Sequence, residues 1–402
     1  MYTPLTAESV IDYVVRSPIK DQIFHDDDTF MVEDLAEGGN INLIFRVRAT
    51  EDRNRSVLVK QALPHSRRYP DIKMPLSRAE IEYNVLAIEN QYCPGIAPQV
   101  YHYDGTMYVN LMEDLNDHLI MRKSMEQQIT YPKFAEDMAI FLARSLFYTS
   151  DLFLSSADKK AEVPKYINPV LCKVTEDLFF TQPVVPHDNN RWTSPDLDAL
   201  VDECYANESL FAAMLTMKEK FMNNAQALIH GDFHTGSIML NKEETRVIDP
   251  EFAFYGPMAF DTGSLIGNLM IGYGAQEGHA PDEESRRVYR QWLLQATEDF
   301  WTIFEQEFRR LWDKEADPTE WGSKLFQDQY MAQLLQDTAG FAGAELFRRT
   351  IGLAHVDDFI DISDQSKRAA SERIALEVGQ RWLLERANIN SIGDLLAMIP
   401  RQ

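Results

Sequence analysis

His230-Gly231-Asp232-Phe233-His234-Thr235-Gly236-Ser237-Ile238-Met239-Leu240, followed by Val247-Ile248-Asp249-Pro250-Glu251, decides how this chain is read. The pattern is an apolar strand, a polar loop, a second strand, and a turn carrying two carboxylates. Phosphoryl transfer needs one carboxylate near the attacking hydroxyl and further oxygen ligands for Mg²⁺. Asp232 suits the first task; Asp249 and Glu251 suit the second. In extended backbone residues i and i+2 share a side, so Asp249 and Glu251 are expected to reach one metal. The bland alternative is that Asp232 caps a turn and the Asp-Pro-Glu segment is a solvated loop. Order and apolar flanks together favour chemistry over either piece alone.

Working outward, the first 115 residues are strand-rich. Thr6 to Arg16 predicts a short amphipathic helix with Thr6 as N-cap. Thr29–Glu33, Ile41–Thr50 and Ser56–Gln61 predict strands, and Ser77–Gln91 predicts a helix with Ile81, Val85 and Ile88 on one face. Gln99–Tyr103 and Thr106–Met112 alternate as a hairpin around Asp104-Gly105. Beyond Asn116 the period becomes helical, over Tyr131–Phe153, Asp196–Phe221, Glu283–Trp312 and Lys324–Thr350. The polar, Pro-punctuated stretch 157–193 carries no assignment. The expectation is an α+β chain in two parts, 1–115 and 116–402.

Composition narrows the partners. Among 402 residues, 39 Lys+Arg face 63 Asp+Glu, a net charge of −24 that repels nucleic acid and anionic membrane. Cys93, Cys172 and Cys204 match no metal or redox spacing and suit a reducing cytoplasm. Glu8 and Asp12 interrupt the N-terminal apolar residues, so no signal peptide is read there. The most apolar stretch, around Met138 to Leu154, contains Arg144 and Asp151 and reads as a buried helix rather than a membrane span.

His-Gly-Asp-x-His-x-Gly-Ser-Ile resembles the catalytic loop of the aminoglycoside-phosphotransferase and choline-kinase superfamily, relatives of the protein kinases. Ser237 stands where that superfamily usually has a metal-binding Asn, and Asp249-Pro250-Glu251 where protein kinases have Asp-Phe-Gly. The loop and the unbroken run from Asp249 to Asp261 are similar to the methylthioribose kinases in particular. The resemblance implies a protein-kinase-like two-lobe fold, with an antiparallel-sheet N-lobe binding nucleotide and a mainly helical C-lobe holding the catalytic and acceptor sites. It also implies Mg²⁺ and ATP, methylthioribose as acceptor, a place in methionine salvage, and a homodimer.

By the same resemblance, Gly38, Gly39 and Asn40 form a phosphate turn, Lys60 holds the α/β-phosphates, and Glu82 pairs with Lys60. Glu80 and Glu89 lie on the same helix; Arg78-Ala79-Glu80-Ile81-Glu82 matches the family's Arg-Ala-x-x-Glu pattern and favours Glu82. Backbone groups of Glu113 and Leu115 are expected to meet adenine, with Asp114 between them capping a turn. Asp249, Pro250 and Glu251 belong to the ATP site, with Asp249 and Glu251 on the metal. Asp232, Arg348 and Arg349 are expected at the acceptor, the arginines supplying rigid forks of donors. Asp261, His230 and His234 are read as structural. Two departures stand out: Glu37 precedes Gly38 where the family has a different turn, and Met74 replaces a usual Trp in a loop over the acceptor. Competing readings are another small-alcohol kinase, acting on an aminoglycoside, choline or homoserine, and a silent nucleotide-binding protein.

Overall fold

The Val- and Leu-rich run Ser56–Gln61 becomes the middle strand of a five-stranded antiparallel sheet. The computed structural model describes residues 2–35, 41–67 and 69–400. The expected phosphate turn Gly38-Gly39-Asn40 lies outside the described residues. Two compact units form, Met1–His118 with Arg246–Ala253, and Leu119–Thr245 with Phe254–Gln402.

In the first unit the strands β1 (Phe30–Asp34), β2 (Leu43–Ala49), β3 (Ser56–Gln61), β4 (Val100–Asp104) and β5 (Val109–Met112) lie in the order β1-β2-β3-β5-β4. Strand β5 is buried along its whole length and β3 almost so, as befits central strands covered on both faces. The register sets Lys60 opposite Ile44 on one side and Asn110 on the other. The N-terminal helix, Ala7–Val15, begins at Thr6 with the expected cap: the Thr6 hydroxyl accepts the Ser9 N–H, and Ser9 answers the Thr6 N–H. Its buried Val10 and Val14 join Phe45, Val47, Val57, Val59 and Leu111 in one core. The hairpin turn is held by the Asp104 carboxylate, which accepts from the Thr106 and Met107 N–H groups.

The helix expected at 77–91 forms as Arg78–Tyr92, but its buried face is not the apolar one. Arg78, Ala79, Glu82, Val85, Leu86 and Glu89 are buried, whereas Ile81 and Ile88 are only partly so. Periodicity of apolar residues found Val85 but not the rest of this face, because three of the inward residues, Arg78, Glu82 and Glu89, carry charge.

The second unit is mainly helical. Phe134–Tyr148, Glu283–Glu315 and Lys324–Thr350 realise three of the expected helices, the first shorter at both ends. The expected single helix 196–221 is two, Asp198–Ala206 and Glu208–Asn223, because the Asn207 side chain caps the second by accepting the Leu210 N–H. The unassigned stretch holds Ser156–Glu162 and Pro169–Phe180, the latter starting with Pro at its first position.

The helix Met258–His279 had no sequence signal: every residue from Met258 to Gln276 is buried, so no polar face marks a period. Its Gly263 lets the helix Lys324–Thr350 approach closely. A Cβ there would stand 2.7 Å from Phe341 Cβ and 2.8 Å from the Thr338 carbonyl oxygen. Among the described residues no helix is long and apolar enough to cross a membrane.

Candidate active site

In the first unit Lys60, at the end of β3, is almost fully buried. Its Nζ donates to Glu82 Oε1 at 2.6 Å and to Asp249 Oδ1 at 2.5 Å. Glu82 therefore is the carboxylate that meets the strand lysine. Neighbouring carboxylates keep the Lys60 ammonium charged despite its burial. Burial pushes the Glu82 carboxyl above the usual range, against the pull of Lys60.

Asp249 does not lie in extended backbone. Its φ is 68°, in the left-handed region that Asp tolerates better than most residues, and Pro250–Phe252 forms a short 3₁₀ turn. The shared-side geometry expected of Asp249 and Glu251 is thus not what forms. The Asp249 side chain is 41% exposed beside Lys60. Glu251 is buried and accepts from Arg78 Nε at 2.8 Å and from Asn42 Nδ2 at 3.1 Å on both oxygens. Arg78 also donates to the Leu63 and Pro75 carbonyls and to Asn42 Oδ1. Arg78 and Asn42 were missed as site partners. Arg78 sits one helical turn before Glu82, a spacing that puts both on one face.

Asp114 caps no turn. Its side chain, 1% exposed, takes Arg46 Nε at 2.8 Å, because a buried carboxylate needs a cation. Glu113 is tied by its N–H to the Gln99 carbonyl and by its carboxylate to the Gln99 N–H. Met74, in the loop before the helix Arg78–Tyr92, is buried.

In the second unit the loop around Asp232 is braced from behind. Gly231, with φ 80°, makes the bend that a side chain would strain. The buried Asp261 carboxylate accepts the His230 N–H at 2.7 Å and the Gly231 N–H at 3.0 Å. Burial pushes Asp261 up to about 7 even though these two donors pull it down. Ser237 donates to the Asp232 carbonyl at 2.9 Å and so closes the loop.

The Asp232 carboxylate faces three cationic or donor groups. His234 Nε2 lies 3.2 Å from Oδ2; Arg348 Nη1 and Arg349 Nη2 lie 3.6 and 3.9 Å from Oδ1. Burial would raise its pKa, but His234, Arg348 and Arg349 outweigh that and hold it well below the ordinary value. Both arginines project from the last turn of the helix Lys324–Thr350, where Glu345 is fully buried. Glu345 accepts Arg349 Nε at 2.7 Å, Arg348 Nη1 at 3.2 Å and Asn268 Nδ2 at 2.8 Å. Arg348 also lies over the Phe179 ring, 5.0 Å from its centroid. Arg348 Nε and Arg349 Nη2 are buried with no hydrogen-bond partner among the described residues. Glu345 was missed, although its position three and four residues before the arginines is the signal of a helical clamp. The Asp232 carboxylate, set beside two fixed guanidinium groups, can accept a hydroxyl proton while they bind the acceptor's oxygens.

Comparison with known proteins agrees with this chemistry. Residues 34–301 match the phosphotransferase enzyme family. A glucosamine kinase solved with glucosamine, ADP and inorganic phosphate aligns with a TM-score of 0.50 at 14% identity. That alignment covers 93% of this chain and 86% of that one, a likeness of fold alone. The fold and site thus define a phosphotransferase of protein-kinase-like fold. Methylthioribose kinase from Escherichia coli O45:K1 is 41% identical over 371 residues, 89% of this chain and 88% of the relative. Methylthioribose kinase 1 from rice is 37% identical over 413 residues, 99% and 95% of the two chains. The chain belongs to the methylthioribose kinase family.

Proposed function

We propose that this protein transfers the γ-phosphoryl group of Mg-ATP to the anomeric hydroxyl of S-methyl-5-thioribose, giving S-methyl-5-thioribose 1-phosphate and ADP in methionine salvage. The observation that carries the reading is the Asp232 carboxylate set against the buried pair Arg348 and Arg349, whose Nε and Nη2 respectively have no hydrogen-bond partner among the described residues. The acceptor oxygen attacks the γ-phosphorus, the bond to the β-phosphate oxygen breaks, and the hydroxyl proton passes to Asp232. Arg348 and Arg349 bind the acceptor's oxygens.

Residues 1–115 carry the nucleotide and 116–402 the acceptor and the base. Gly38, Gly39, Asn40 and Lys60 hold phosphates, and Glu82 positions Lys60. Glu113, Asp114 and Leu115 form the adenine-binding segment, and Pro250 shapes the turn between the metal carboxylates. Mg²⁺ prefers hard oxygen ligands and keeps much of its water. Among the described residues no cluster of three or more His, Cys, Asp or Glu forms a closed cage, and the exposed Asp249 carboxylate suits a cation shared with phosphate. Asp249 and Glu251 would hold Mg²⁺, which neutralises charge on the β- and γ-phosphates when bound. The working form is a cytoplasmic homodimer, as the family resemblance implies.

The test is an ADP-release assay with Mg-ATP and methylthioribose, ribose, choline, homoserine or kanamycin. Selective turnover of methylthioribose is expected. Turnover of another alcohol in its place would sink the acceptor assignment, and ADP release from none would favour a binding protein. A cationic aminoglycoside or choline is disfavoured by the two arginines.

A further inference from the structure

One neighbour of the proposed base has no part in that scheme: His234, two residues beyond it. We propose that His234 is a positioning residue, which fixes the orientation of the Asp232 carboxylate by donating an Nε2–H hydrogen bond while Gly236 fixes the tautomer. The inference rests on the reading of Asp232 as the base.

The tautomer follows from the partner of the other ring nitrogen. The Gly236 backbone N–H donates to His234 Nδ1 at 2.9 Å. A neutral imidazole has one acceptor and one donor nitrogen. With Nδ1 accepting, the proton is on Nε2, which lies 3.2 Å from Asp232 Oδ2. The neutral form is favoured by burial and by Arg349 and Arg122, against the pull of Asp232.

The ring has little freedom to leave this pose. A Cβ at position 236 would lie 2.7 Å from His234 Cε1 and 2.9 Å from Nδ1, so the ring occupies the place a side chain would take. Between Asp232 and His234, Phe233 is fully buried and stacked on Phe141, centroids 5.6 Å apart and planes 11° from parallel. That anchor holds the backbone from which both functional side chains project.

The two oxygens of Asp232 are thereby given different surroundings. Oδ1 faces Arg348 and Arg349, and Oδ2 faces His234. Without the histidine donor, no group among the described residues stands on the Oδ2 side to oppose the arginines. The carboxylate then turns towards them, closing an ion pair in place of meeting the acceptor hydroxyl. The spacing Asp-x-His-x-Gly has a physical purpose on this view: base, orienting donor, and the only residue that leaves room for the donor's ring.

Two variants separate the donor from the scaffold. His234→Asn keeps an acceptor near the Nδ1 position for the Gly236 N–H but does not reach Asp232. His234→Gln extends an amide donor to the Nε2 position. Loss of an orienting partner typically costs about 10–100-fold in activity, so His234→Asn is expected to lower kcat by that factor. KM for ATP and the thermal midpoint should stay near wild type. His234→Gln should restore most of kcat. Gly236→Ala, which displaces the ring, should lower kcat as His234→Asn does. Wild-type kcat in His234→Asn, or equal losses in the Asn and Gln variants, would overturn the positioning role. Asp232→Asn, assayed alongside, separates the two readings: full turnover there would remove the base itself, and the inference with it.

Discussion

Lys60 Nζ stands 2.5 Å from Asp249 Oδ1, so the cation assigned to phosphate is paired with the carboxylate assigned to Mg²⁺. The partners differ in exposure, 3% for the lysine side chain and 41% for the aspartate. The aspartate keeps solvent-facing capacity for a cation. Asp249→Asn should therefore abolish Mg²⁺-dependent nucleotide binding in calorimetry, and chelation should weaken binding to the wild type in the same way. Unchanged affinity in the variant would refute the metal assignment.

Removing the lysine gives a pH signature. Burial raises the Glu82 carboxyl even with Lys60 beside it, and in Lys60→Met that compensation is gone. An acid whose folded pKa lies above its unfolded value of about 4.3 binds more protons when folded. Its stability contribution falls as pH rises from that value through the folded pKa. Wild-type Glu82 has itself titrated by about pH 7, so Lys60→Met is expected to lose stability relative to wild type from about pH 7 upwards, at up to about 1.4 kcal/mol per pH unit. Denaturant titrations across that range measure it, and a pH-independent difference would contradict it.

Arg78 makes a different kind of prediction. Its side chain is fully buried and the Glu251 side chain only 7% exposed. Removing one partner of a buried ion pair strands the other charge, at a cost of about 3–5 kcal/mol. Arg78→Met should lower the unfolding free energy by about that much. Arg78→Lys should also fail, because one ammonium cannot reach Glu251, Asn42 and the two carbonyls at once. A denaturation midpoint unchanged in both variants would show the network to be dispensable.

These residues also show where sequence reading succeeds and where it stops. The strand Ser56–Gln61 and the helix Lys324–Thr350 have the predicted bounds. The pairing of Lys60 with Glu82 followed from a family pattern carried onto numbered residues. The inward face of the helix Arg78–Tyr92 was not legible, because hydrophobicity cannot signal a buried charge whose partner is far away in sequence. Asp249's left-handed backbone was hidden for a related reason: no apolar period passes through a three-residue turn. Helix Met258–His279 escaped through the opposite cause, burial so complete that no polar face marks its period.

Asp232 is held ionised, and that fixes what pH can do to the reaction. Burial alone would raise its pKa, but His234, Arg348 and Arg349 hold it well below the usual carboxylate range. A depressed folded pKa means that the stability gained from these pairs is present above the unfolded value of about 3.9. It is lost only as pH falls through the lower folded value. Between pH 8 and 5 neither the charge nor the proton-accepting capacity of Asp232 changes, so any acid limb of kcat/KM in that window belongs to another group. Asp232→Asn should lower kcat by about 10²–10⁴-fold at every pH in the window, with Mg-ATP affinity and fold retained. The measurement is a pair of pH–rate profiles with calorimetric nucleotide binding. An acid limb between pH 5 and 7 that is present in the wild type and absent from the variant's residual activity would show that Asp232 titrates there. The electrostatic account of the site would then fail.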